Sequence, residues 1–189
     1  MKQRGFFLAL MFIVFGFAYR LIPNHVWNFT PIAAMALVGG LYLKNKKLAF
    51  IIPFAALFLS DLILNNTINR VFFTEQTGIV IFDNYMIWTY GAYLLTVLLG
   101  VKLIGSRTNT KIFGGTVIAS LLFFVLTNFG TFISTGLYPK NLQGLITCFV
   151  AALPFFKNTL LGNFLFISVF VFSIELLKKP SMLSSAIRG

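Results

Sequence analysis

Apolar runs recur along this chain at lengths that water-soluble folds rarely use, and short basic clusters separate them. The runs cover roughly 5–21, 29–43, 48–65, 85–105, 112–134 and 157–177. A helix needs about 20 apolar residues to cross a bilayer core, and backbone groups within lipid must be satisfied internally. The pattern therefore predicts an all-α membrane protein. Between Tyr42 and Ile51 three lysines, Lys44, Lys46 and Lys47, are wedged between two such runs. Lys and Arg collect in short cytoplasmic loops. That assigns Lys2, Arg4, the lysine knot, Lys102, Arg107, Lys111, Lys178, Lys179 and Arg188 to one side, eleven of the fifteen basic residues. Arg20, Arg70, Lys140 and Lys157 are left for the other half. Six transmembrane helices with both termini cytoplasmic satisfy the rule in a bacterial cytoplasmic (inner) membrane.

Composition narrows the function classes. With 189 residues, 58% apolar and 10% charged, the chain reads as a single transmembrane domain over 1–189 with no soluble module. A net charge of +11 would suit nucleic acid, but the basic residues flank apolar runs, so orientation in the lipid bilayer explains them and no nucleic-acid partner is expected. One cysteine excludes an internal disulfide. Met1 to Phe17 resembles a signal peptide. No small-residue cleavage site follows, so the segment reads as an uncleaved first helix. The segments 29–43 and 143–156, the latter stopped by Pro154, are similar in length and short for a span, so length does not sort them; charge does, because a crossing at 143–156 would put Lys178 and Lys179 outside. Segment 143–156 is expected to be a short re-entrant or interfacial helix on the outer face.

Polar residues inside such a domain are costly and usually face its interior or a water-filled cavity. At about 1.5 Å per residue, Arg20, Asp61 and Asn128 each lie roughly 20–24 Å above the cytoplasmic starts of the first, third and fifth helices. Lys157 and Asn158 open the sixth. Tyr90 enters the fourth helix from the same side, and His25, Trp27 and Asn28 lie in the loop above. Converging polar groups with aromatic walls suit a small-molecule pocket. Arg20 and Lys157 would favour an anionic group, Asp61, Asn128 and Asn158 would orient it, and Trp27 and Tyr90 would stack on it. Each has a plainer alternative: an ion pair of Asp61 with Arg20 or Lys157, an interfacial aromatic belt, interhelical bonding by Asn128. His25 alone makes no metal site, Cys148 reads as a small buried apolar residue, and no cofactor motif is present.

Further features form an ordered series. They are the loop from Arg20 to Pro31, a small-residue helix ending Gly39-Gly40-Leu-Tyr-Leu, the basic turn, and Pro53-Phe-Ala-Ala-Leu-Phe-Leu-Ser-Asp61. Ser120 to Gly130 and Ala151 to Thr159 follow. The series resembles the S-components, the membrane-embedded substrate-binding subunits of energy-coupling-factor vitamin transporters, by way of a group of small uncharacterised bacterial membrane proteins. The resemblance implies six helices, capture of a vitamin or related small molecule in an outward pocket, and docking on a partner transmembrane subunit driven by two ATPases. The docking device it implies is small-residue spacing, represented here by Gly5 and Ala9 on the first helix and Ala36 and Gly40 on the second. The rival readings are an intramembrane lipid-modifying enzyme, with His25 and Asp61 as base and orienter, and a structural subunit of a membrane complex.

Overall fold

The computed structural model describes residues 2–22, 27–73, 76–103 and 107–178, without the side chains of 2–9 and 177–178. Six α-helices and one 3-10 turn make up its regular structure, and the described residues contain no strand. We number them α1 (Lys2–Leu21), α2 (Ile32–Tyr42), α3 (Lys46–Leu64), α4 (Asn84–Lys102), α5 (Asn109–Ser134) and α6 (Leu142–Lys178), with the 3-10 turn at Ile68–Phe72.

Helix starts fall where short polar side chains can accept an N-terminal amide. Asn45 accepts from Lys47 N at 3.0 Å, Asp83 from Tyr85 N at 3.1 Å, Thr108 from Lys111 N at 3.4 Å and Asn141 from Gly144 N at 2.8 Å. Two helix ends are closed by lysines, as the partial negative charge of a C-terminus favours. Lys46 Nζ donates to Gly40 O at 2.9 Å and Leu43 O at 2.7 Å, ending α2. Lys140 Nζ donates to the carbonyls of Phe132, Ile133 and Thr135, ending α5.

α2 is the centre. It is apolar on every face, as a fully enclosed helix should be, and nine of its eleven residues are buried. α3 and α4 flank it, and α1, α5 and α6 complete the surround. The α2–α4 crossing is close because both helices carry glycine there: a Cβ on Gly40 would run into the carbonyl of Val97, and one on Gly100 into that of Leu37. Ala36 is fully buried, and so is Gly40. The small residues at 36 and 40 thus pack within the chain, the intramolecular alternative to the docking role that the resemblance implies. Gly5 and Ala9 lie on α1, where side-chain surroundings are not described.

The expected break between an interfacial helix over 143–156 and a sixth span is absent. α6 runs unbroken through Pro154 for 37 residues, about 55 Å. Proline removes one N–H from the helix, but α5 holds the two halves in a single register. Cys148 Sγ contacts Asn128 O at 3.4 Å and Phe149 meets Phe124 before the proline; Phe156 meets Phe124 and Asn163 Nδ2 donates to Ser120 Oγ at 2.9 Å after it.

α3, α5 and residues Leu142–Leu176 of α6 are each long and apolar enough to cross a membrane. The outward faces agree. Phe58, Leu59, Leu121, Val125, Val150, Leu161, Leu165 and Phe172, large apolar side chains on these three helices, are all exposed.

Candidate functional site

At the end of the bundle where α2 begins, the helices part around a cavity of about 1010 Å3. Its walls are the C-terminal ends of α1, α3 and α5, the N-terminal part of α4, the middle of α6, and the segments 27–30, 68–73 and 76–83. Asn28 sits at φ 61°, a left-handed conformation that asparagine tolerates better than most residues. Phe29 then seats the loop on α6: it packs edge-on against Phe166 at 5.6 Å, and a Cβ at Gly162 would meet its ring.

Arg20 and Asp61 meet in the wall. Arg20 Nη2 donates to Asp61 Oδ1 at 2.7 Å, Tyr90 Oη donates to Asp61 Oδ2 at 3.0 Å, and Arg20 Nη1 reaches Leu57 O at 3.4 Å. Both carboxylate oxygens are engaged, and Asp61 is 5% exposed. Such a network holds its own charge neutral inside the domain and fixes three helices, α1, α3 and α4, relative to one another.

The loop over the cavity is built by side chains that stand in for a sheet ladder. Asn66 accepts from Val80 N at 2.8 Å and donates to Val80 O at 2.9 Å. Arg70 donates to Gln76 O at 2.6 Å, and Gln76 donates to Asp83 at 2.6 Å. The last of these carboxylates also caps α4, so loop and helix are tied at one residue.

A family model described as a family of unknown function, DUF6580, matches residues 1–185. The chain belongs to that family. No curated protein matches it, and no solved structure does. The match covers nearly the whole bundle of this DUF6580 member and brings no activity with it, so the chemistry has to be read from the cavity.

Of the residues singled out in the sequence of this DUF6580 protein, Arg20, Trp27, Asn28, Asp61 and Asn128 line the cavity. Tyr90 stands behind Asp61 as a hydrogen-bond donor and is not part of the lining. Lys157 is exposed and Asn158 half-buried, and neither lines the cavity. Thr159 and Asn163, four apart and therefore on one helix face, line it in their place. His25 lies outside the described residues. Arg20, expected to attract an anion with Lys157, is committed to Asp61, so the ion-pair alternative is the one the geometry realises.

The sequence reading passed over Thr127, Thr131 and Thr135, which line the cavity from α5. Their signal is a spacing of four: Thr127 and Thr131 in the apolar α5 and Thr135 at its C-cap form one polar stripe. Among the described residues no group of three His, Cys, Asp or Glu is placed to hold a metal.

Proposed function

We propose that this protein is a multi-pass protein of the bacterial inner membrane that captures a small nutrient, a vitamin or related metabolite, in an outward-facing pocket for uptake, in the manner of S-components. The observation that carries the reading is the cavity. Ligand sites typically measure about 300–1,000 Å3 and are mostly apolar with a few converging polar groups. This one is about 1010 Å3, and polar side chains from α1, α3, α4, α5 and α6 converge on it. Its position supports an outward mouth. At the opposite end of the bundle the basic turns gather, with Arg107 stacked over Tyr42 at 4.9 Å and donating to Leu41 O at 3.4 Å, close to the lysine knot. Under the charge rule that end is cytoplasmic, and six crossings place both termini there.

Coupling to a transmembrane partner and ATPases belongs to the same proposal. With Ala36 and Gly40 enclosed, one surface open to such a partner is the outward face of α1, where Leu10, Met11, Val14 and Phe15 are exposed.

The test uses purified protein in detergent and a defined set of vitamins, nucleosides and amino acids, read by native mass spectrometry and by fluorescence of Trp27 at the cavity mouth. At least one compound should bind one-to-one, and Asn128→Ala, which removes an amide from the lining, should weaken it by about three- to tenfold. Failure of every compound to bind protein that retains its helical circular dichroism would sink the capture reading.

A further inference from the structure

The hydrogen-bond directions in the cavity wall define what chemistry it accepts. A threonine hydroxyl has one hydrogen and two lone pairs. On α5, Thr127 Oγ1 donates to Phe123 O at 2.7 Å, Thr131 to Thr127 O at 3.0 Å and Thr135 to Thr131 O at 2.7 Å; on α6, Thr159 donates to Phe155 O at 3.0 Å. Each hydroxyl has spent its hydrogen on its own helix. What remains toward the cavity is lone pairs, and on α5 they form a stripe about 12 Å long.

The charge balance points the same way. The described lining contains one arginine and two aspartates, Arg20, Asp61 and Asp83, and the arginine is already engaged by Asp61 and Leu57 O. Lys140 caps α5 and Lys157 is exposed, and neither is part of the lining. Among the described lining residues no unengaged cation is left to meet an anion that enters this space; Arg70, beside the lining, gives Nη2 to Gln76 O, and its partnerless Nη1 is buried. Tyr93 and Phe123 add apolar ring surface between the polar groups.

We infer that the cavity selects a neutral or cationic molecule that carries several O–H or N–H donors on an aromatic or otherwise apolar frame, and discriminates against anions. This rests on the capture reading above and sharpens it to a ligand class.

The experiment presents the purified full chain with an equimolar mixture of nucleosides and aryl glycosides, their fully O-methylated ethers, and their monophosphates, read by native mass spectrometry. The parent compounds should be retained at least tenfold over both derivatives. A Thr127→Val/Thr131→Val variant keeps side-chain shape and removes two acceptors; it should bind the parents about three- to thirtyfold more weakly, with an unchanged melting profile showing that the fold persists. Equal or better retention of ethers or phosphates overturns the donor-rich assignment and leaves the capture reading standing. Undiminished binding by the valine variant overturns the threonine stripe as its basis. Retention of no compound of any form counts against the capture reading itself, and this inference falls with it.

Discussion

Gly100→Ala should destabilise this protein, although alanine is the better helix former. A methyl at Gly100 would collide with the carbonyl oxygen of Leu37, with Leu37 C and the Cα of Gly40 each at 3.1 Å. These obstacles are main-chain atoms of α2, so no rotamer change relieves them. α2 cannot retreat freely either, because it is packed against α1, α3, α5 and α6 as well. Overpacking a tight contact costs about 1–3 kcal/mol, and the backbone obstacle places this case at the upper end. Alanine returns about 1 kcal/mol of helix propensity. The net loss is about 2 kcal/mol, which for a chain of this length lowers the melting midpoint by about 4–8 °C. Gly91 on the same helix has nothing within 4 Å of a built Cβ. Gly91→Ala therefore shows the propensity gain alone, about 1 kcal/mol and a rise of about 2–4 °C. Circular-dichroism melts of both variants in one detergent read the two signs. A Gly100→Ala midpoint at or above wild type, or a Gly91→Ala midpoint as depressed as that of Gly100→Ala, would refute the close crossing as the organiser of the core.

Two further outcomes follow from the ion pair and from the orientation. Asp61→Leu strands the Arg20 guanidinium, whose side chain is only 17% exposed, and should cost about 3 kcal/mol, while Arg20→Met/Asp61→Leu should recover most of that; strictly additive losses in a double-mutant cycle of melting midpoints would show that the two do not couple. Cysteines at Asn45 and Asn141, exposed turn residues at opposite ends of the bundle, should differ toward a membrane-impermeant maleimide on intact cells, Asn141→Cys reacting and Asn45→Cys not. Cys148 is buried and contributes little background, and the reverse pattern would invert the topology.

The helices were legible because apolar length is a local property, and the caps that set their ends, which the sequence reading did not use, are local as well. Asn45, Asp83 and Thr108 mark starts, and Lys46 marks an end, each by a bond reaching only a few residues along the chain. Height was legible too: Arg20, Asp61 and Asn128 do meet at one level because rise per residue is fixed. Rotation was not. Depth alone cannot distinguish Lys157 and Asn158 from Thr159, which lies within about 3 Å of them along the helix; the face each presents depends on how α6 leans on α5. The same gap separates Gly39-Gly40 as a packing signal from knowledge of what packs there. Pro154 misled for a related reason. Its local effect favours a break, and the contacts that override it come from residues of α5 that lie 20 and 43 positions before their partners.

The cavity exists because the central helix is short. α2 has 11 residues, about 16 Å, inside a ring that includes the 26-residue α5, about 39 Å. The chain enters α2 part-way down, across Phe29 on α6, and the space above it stays open. Below, the same helix is a plug: Leu37, Gly40 and Leu41 are buried, and the Gly40–Gly100 contact brings backbone against backbone. A solute in the pocket therefore meets a packed core where α2 crosses α4. Under the uptake proposal, release to the cytoplasmic side requires either that α2 and α4 separate, which the close crossing opposes, or that the domain as a whole changes its position in the membrane. The rigidity measured by Gly100→Ala and the mode of delivery are thus linked. A core that melts as one unit, with no separable α2–α4 step, favours whole-domain movement and hence the need for a partner on the exposed face of α1.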